Sequence, residues 1–542
     1  MAGPFRISRR AFTGTTVALP ALGWAAGGSP EPGLAQDGPW RAGDGLRIAG
    51  SISGPATLDP ALSRDLDSNY ILQHIFRGLM SLDANLDPVP CLAEQVEVLE
   101  EGARYSFTLR EGVTFHGGRA ISTADVAGSL SRALNPKIAG GSVGALAAVT
   151  YVGDIEGAGD VLAGVESTLS GVTMVNDRQV EIRLQHPSPT FLMRLASVQA
   201  SIVDMGQVDQ DPEWWRSPNG SGPYRLERWN ASESVEMRAA DMWWEGKSVV
   251  DRLTFWLGAS AVEPLNLYQA DKVDLVADVN PEQVALVRDP ASGIAYGELR
   301  ETVLFATSYI AFGNQAPPLD DAHVRRALQL AYPAANYARG WYGETVSVAT
   351  GLVPPGMLGV EWDAHPPDVD IEAARAELAA SRYGSAEAVP PIVIHGADAR
   401  PIDSFRAVVT DALGLDVQAV EVPFPEFIAG LGERRFPAYS IYWGADYPDP
   451  ESLIGMLFGS ASGDNYTGYS NPELDALLEL ARTQAGNERV ETLQRANQVL
   501  VEDVAVIPLY HPHGYTLTPS GMEGVRATPM GILGLESVYE AD

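Results

Sequence analysis

The sequence predicts an α/β fold spread over at least two domains. Strand-like and helix-like runs interleave from Leu46 to Tyr510, the arrangement of packed strand and helix layers. The 542 residues exceed what one core organises, since domains usually hold about 100–200 residues. No period of about 20–50 residues recurs, which excludes solenoids and propellers.

In chain order, Leu46 to Ala49 reads as a strand running into the turn Ser51-Ile52-Ser53-Gly54-Pro55. Ile71, Leu72, Ile75, Phe76 and Leu79 share a face and predict a helix over 69–79. Tyr105, Phe107 and Leu109 alternate with polar residues. With Val113 and Phe115 beyond the Glu111-Gly112 turn, they predict a hairpin. A helix over 122–134 follows, with Thr123 as its cap and Val126, Leu130 and Leu134 at helical spacing. Ser217 to Pro223 is a tight glycine loop. Tyr224, Leu226 and Trp229 then pair with Val235 and Met237, and Leu253 to Leu257 reads as a buried strand. Asp320 and Asp321 open a helix carrying Val324, Leu328 and Ala331, where acids suit the helix dipole. Asn471 and Asn487 each start a helix, and Val504 to Tyr510 is a late strand.

Asp and Glu number 70 against 37 Lys and Arg, a net charge of −33. Phosphate backbones need clustered cations, so nucleic-acid binding is excluded. Cys91 is the single cysteine, which rules out an intrachain disulfide and a four-cysteine zinc site.

The N-terminus reads Ser8-Arg9-Arg10-Ala11-Phe12-Thr13 and then a mild apolar run to Ala26, the pattern of a twin-arginine export signal. That run is too short and too weak to span a bilayer, which takes about 20 strongly apolar residues. Small residues offer cleavage after Ala26 or Ala35, and Ala35 is favoured, giving a signal over 1–35. The mature chain is expected in the periplasm without stable membrane insertion.

Several stretches together resemble the extracytoplasmic solute-binding proteins of peptide and nickel ABC importers, bacterial family 5. They are Leu58-Asp59-Pro60 with Phe76-Arg77-Gly78-Leu79, Pro90-Cys91-Leu92-Ala93-Glu94, and Tyr105 to Arg110 with Val113-Thr114-Phe115-His116-Gly117-Gly118. Thr123-Ala124-Asp125-Val126, Gly220-Ser221-Gly222-Pro223-Tyr224, Pro318 to Leu328, Asp446-Tyr447-Pro448-Asp449-Pro450 and Tyr469-Ser470-Asn471-Pro472-Glu473 complete the set. The resemblance runs from about Leu46 to Val525. It implies a two-lobed clamp of the Venus-flytrap kind with an extra inserted domain. Lobe I would comprise 40–85, 206–305 and 506–542, the inserted domain 86–205, and lobe III 306–505. Hinge closure would bury the ligand between lobes I and III.

The same resemblance implies the site. In peptide-binding relatives an Asp at the place of Asp446 pairs with the ligand's terminal ammonium, and a charge-assisted bond is strong in a closed cleft. The backbone at Tyr442 and Gly444 would offer a strand edge to the peptide main chain, with Trp443 as an apolar wall. Arg400 stands where dipeptide-binding relatives hold the ligand's carboxylate, a task that suits a guanidinium fork. The loop bearing Arg64, Asp65 and Leu66 matches the first ligand-facing loop. The function implied is capture of a di- or oligopeptide for delivery to an ABC permease in the inner membrane, by a monomer without a cofactor and without chemistry on the ligand.

Two rivals remain. A metal chelate, glutathione, opine or sugar would replace the peptide, and a secreted hydrolase would need a nucleophile within reach of a histidine. His511 and His513, two apart after a strand, would share a face and suit a metal, though solvent-facing or capping roles compete. Gly220-Ser221-Gly222 is no phosphate loop, because no lysine follows and Pro223 lacks a donor.

Overall fold

The computed structural model describes residue 43 and residues 45–541, apart from 51–53, 143–145, 232, 259–262, 293, 295–296 and 363. The expected export signal and residues 40–42 lie outside the described residues.

Among the described residues a 12-stranded sheet forms the frame. Its order is Val417–Glu421, Ile392–Gly396, Ala438–Gly444, Ala306–Phe312, Val506–Pro519, Leu275–Val276, Leu46–Ala49, Arg252–Trp256, Ser234–Ala239 and Tyr224–Asn230. Gly297–Val303 and Val346–Val348 also pair with Val506–Pro519. That long strand joins two halves: Val506 to Tyr510 pairs with Ala306–Phe312, while His513 to Pro519 pairs with Gly297–Val303.

Alternation decides which face each side chain takes. On Ala306–Phe312, Tyr309 and Ala311 enter one core with Tyr439, Ile441, Phe427 and Phe458. Ile310 and Phe312 enter another with Ala438, Phe405, Val324 and Leu328. The other half of the sheet packs a separate core around Ile48, Leu72, Phe255 and Met237. A third body has the four-stranded sheet Ala93–Leu99, Arg104–Leu109, Gln179–Arg183 and Val172–Met174, and its own core around Phe107, Phe115 and Phe191. The architecture is two lobes plus an inserted body.

Local chemistry moves three expected elements. The first helix is Leu66–Ile75, because Asp65 caps it by accepting from Ser68 N at 2.7 Å. Phe76 and Leu79 therefore follow the helix and are buried beyond it. Val113 and Phe115 do not pair with Arg104–Leu109, whose neighbours are Ala93–Leu99 and Gln179–Arg183. The helix Thr123–Ala133 is capped by Ser122 in a reciprocal box with Asp125, one residue before the expected cap. The glycine loop is a packing device: a Cβ on Gly220 would sit 2.1 Å from Ile75 O, so the loop seats directly on the end of the first helix.

Candidate functional site

Ala438–Gly444 pairs with Ala306–Phe312 along its whole length, Ala306 opposite Gly444. On its other side, the parallel strand Ile392–Gly396 accompanies it only from Ala438 to Ser440. Among the described residues, Ile441 to Gly444 thus has one edge without a strand partner. The chain leaves Gly396 for Asp398, which caps the helix Ala399–Leu413. The end of one strand and the start of this helix therefore flank the open edge. In α/β sheets, ligands bind outside such carboxyl ends of parallel strands.

Asp446 lies just past the edge. Tyr151 Oη donates to Asp446 Oδ1 at 3.3 Å, tying the inserted body to this end of the sheet. Asp446 Oδ2 is shielded from solvent and has no hydrogen-bond partner among the described residues. Burial pushes the Asp446 carboxyl up to about 6, and the charge of Asp464 adds to this. The Tyr151 hydroxyl, the nearby indole of Trp443 and the positive charge of Arg64 pull the other way. Trp443 is half-buried, its ring 6.0 Å from that of Tyr466, whose hydroxyl donates to Asp464 at 3.0 Å. The turn after Asp446 is rigid. Asp449 caps the helical turn Pro450–Ser452 and makes a buried bidentate pair with Arg489 at 2.6 and 2.8 Å.

Arg400 occupies the helix start beside the open edge. Its Nε donates to Asp398 Oδ1 at 3.3 Å, and its guanidinium lies 5.0 Å from the Tyr342 ring. Glu282, on the helix Pro281–Arg288, approaches Nη1 to 3.8 Å. Tyr442 is 45% exposed, whereas Trp443 leaves the other face toward the core.

The structure brings Asp446, Trp443 and Arg64 together and sets Tyr442, Gly444 and Arg400 along one edge. Asp65 is engaged elsewhere: both carboxylate oxygens bond Ser68, so its role here is to cap a helix. Leu66 is 65% exposed beside it. Tyr151, Asp464 and Tyr466 went unrecognised in the sequence, where no local pattern marks them.

The two late histidines do not form a metal pair. His511 is buried, with Nδ1 3.0 Å from Thr307 Oγ1 and 3.2 Å from Ala306 O. His513 Nδ1 lies 2.5 Å from Glu301 Oε1 and its Nε2 2.9 Å from Ser347 Oγ. No three metal-ligating side chains cluster among the described residues. No helix among them is long and apolar enough to cross a membrane.

Comparison with known proteins follows the same lines. Residues 87–465 match the family described as bacterial extracellular solute-binding proteins, family 5 middle. A probable di/tripeptide-binding protein 5 of Pseudomonas aeruginosa is 28% identical over 482 residues, covering 84% of this chain and 88% of that one. The probable deoxycholate-binding periplasmic protein YgiS of Escherichia coli is 26% identical, over 85% and 86% of the two chains. The solved Escherichia coli murein tripeptide binding protein MppA superposes with a TM-score of 0.76 at 20% identity, over 92% and 99%. The match across most of the chain, with the shared two-lobed fold, makes this protein a member of the bacterial extracellular solute-binding proteins, family 5.

Proposed function

We propose that the protein captures a short peptide between its two lobes outside the cytoplasmic membrane and hands it to an ABC permease, acting as a monomer after twin-arginine export. In this reading 40–85, 206–305 and 506–542 act as one lobe, 306–505 as the other and 86–205 as the inserted body; the separate cores favour such a division but shift its seams, since Ile507, Leu509 and Tyr510 pack in the core of 306–505 and Leu79 and Met80 in that of the inserted body.

One observation carries the reading: a desolvated carboxylate oxygen on Asp446, without a hydrogen-bond partner among the described residues, stands at the end of an open strand edge. A terminal ammonium supplies the missing charge and donor, the edge from Ile441 to Gly444 pairs with the ligand's main chain, and Arg400 takes its carboxylate. Backbone pairing accepts any side chain. The two charged ends, Asp446 and Arg400, would work as a ruler for short ligands. Closure offsets the lost freedom of binding by burying apolar surface, at about 25 cal/mol per Å².

Mass spectrometry of material released from purified, denatured protein tests this. A mixture of short peptides supports it. A single compound without an amine, such as a metal chelate or sugar, overturns the role of Asp446.

The Ser347–His513–Glu301 chain favours a second, hydrolytic reading, because it has the nucleophile–base–carboxylate order. Its carboxylate is shared with Tyr515 at 2.9 Å and Arg288 at 2.7 Å, at the crossing between the lobes. That setting fits a hinge tie. Turnover of peptides or phenyl esters, abolished by Ser347→Ala, would establish the hydrolase.

A further inference from the structure

Beyond the two charged ends, the seam between the lobes carries a cluster of tyrosines. Tyr342 and Tyr510 rings lie 4.8 Å apart, tilted by 52°, and their hydroxyls are 3.3 Å apart. Tyr510 pairs with Ser308, which on its other side pairs with Tyr442. Tyr442 shares its sheet face with Ala438, on the side of the core that Tyr510 enters. Trp341 continues the aromatic row, 6.3 Å from Tyr342. The opposite lobe contributes as well. Asp278 acts on the hydroxyls of both Tyr442 and Tyr70, and Glu282 reaches Arg400.

We propose that this aromatic wall, formed by Tyr342, Tyr442 and Tyr510, receives the side chain of the ligand's last residue and selects aromatic side chains there. The inference rests on the peptide reading above, with Arg400 holding the terminal carboxylate. A carboxylate on Arg400 would place the last Cα near Tyr342, because the guanidinium lies 5.0 Å from the centre of that ring. The ligand carboxylate would take the place of Asp398 and Glu282, which approach Nε and Nη1 to 3.3 and 3.8 Å.

The adjacent side chain then meets tyrosine faces and edges, which suit another ring in offset or edge-on packing. Charge narrows the choice further. An acidic side chain would approach Asp278, Glu282 and Asp398 and be repelled. A neutral planar side chain meets no such repulsion. Tyr442, at 45% exposed, is the part of the wall that ligand burial would cover.

Calorimetric titration of ligand-stripped protein with Ala-Ala-Phe, Ala-Ala-Ala, Ala-Ala-Lys and Ala-Ala-Glu tests the inference. Ala-Ala-Phe should bind about tenfold or more tighter than Ala-Ala-Ala, as two ring contacts predict, and tighter than Ala-Ala-Lys, while Ala-Ala-Glu should bind no tighter than Ala-Ala-Ala. Tyr342→Ala should bring the Phe-to-Ala affinity ratio to about one, and Tyr442→Ala, at an exposed position, should lower the same ratio. Equal affinity for Ala-Ala-Phe and Ala-Ala-Ala overturns the inference alone. Survival of the preference in both variants does the same. Failure of all four peptides to bind overturns the peptide reading and this inference with it.

Discussion

Replacing Asp446 by Asn should weaken peptide binding and stabilise the empty protein at once. The carboxylate sits at the mouth of the open edge with Oδ2 desolvated and without a hydrogen-bond partner among the described residues, and burial raises its pKa from 3.8 to about 6. That shift corresponds to about 1–3 kcal/mol of unfavourable ionisation once partial solvent contact is allowed for. Asn retains an acceptor for Tyr151 and carries no charge, so the empty variant should unfold later. The gain in Tm should be a few degrees at most, about 1–2 °C per kcal/mol for a chain of this size. The sign depends on pH. The folded-state pKa lies above the unfolded one, so the penalty is absent below about pH 4, grows between 4 and 6, and is complete above about pH 7. Wild type and variant should therefore converge in acid and diverge at about pH 8. Peptide affinity should move oppositely, falling about 150- to 5,000-fold, since removing one partner of a desolvated charge pair costs about 3–5 kcal/mol. Differential scanning calorimetry of ligand-stripped protein and titration with Ala-Ala-Ala read the two effects. An empty variant less stable than wild type at the higher pH, or unchanged peptide affinity, would refute the reasoning.

Wild-type peptide affinity should be flat above about pH 7 and drop up to tenfold per unit below about 6, as Asp446 takes a proton and loses its attraction for an ammonium; a pH series of titrations reads this. Asp449→Ala leaves Arg489 buried without its bidentate partner, so denaturant unfolding should show a loss of about 3–5 kcal/mol. Ser347→Ala removes the bond between Ser347 Oγ and His513 Nε2, which links 306–505 to 506–542. Small-angle scattering of the ligand-stripped variant should show a larger radius of gyration, with peptide affinity lowered about two- to fivefold as the closed fraction falls. Glu282→Ala removes a carboxylate that approaches Arg400, and peptide affinity by titration should rise up to about threefold.

What was legible in the sequence was local. Helices at Ala322–Ala331 and Pro472–Arg482 follow from helical spacing, with Asp321 and Asn471 as caps that accept from the first turn. Asp65 was equally legible as a cap: Asp65-Leu66-Asp67-Ser68 ahead of an apolar run is a capping sequence, and the side chain caps. Pairing across the chain was not legible. The open edge exists because Ile392–Gly396 stops at the level of Ser440, a register no local pattern encodes. Tyr151 meets Asp446 across 295 positions of sequence. The double pairing of Val506–Pro519, which ties the halves of the sheet, likewise depends on strands far apart. The resemblance to family 5 supplied Asp446, Trp443 and Arg400 as candidates, and the geometry then added the inserted body's tyrosine and the acid pair.

The two ends of the proposed site make different demands on a ligand. Arg400 already has carboxylate neighbours in Asp398 and Glu282, so a ligand acid there exchanges one anion for another and gains modestly. Asp446 has Tyr151 on one oxygen and no hydrogen-bond partner among the described residues on the other. A carboxylic acid without an amine, such as a bile acid, would engage Arg400 yet trap the Asp446 charge in a drier site, which raises its energy further. A peptide supplies both ions. An amine lacking a carboxylate should accordingly lose less affinity than a carboxylate lacking an amine. N-acetylated and C-amidated forms of Ala-Ala-Ala separate the two: acetylation should weaken binding about tenfold more than amidation. The reverse order would move the dominant anchor from Asp446 to Arg400.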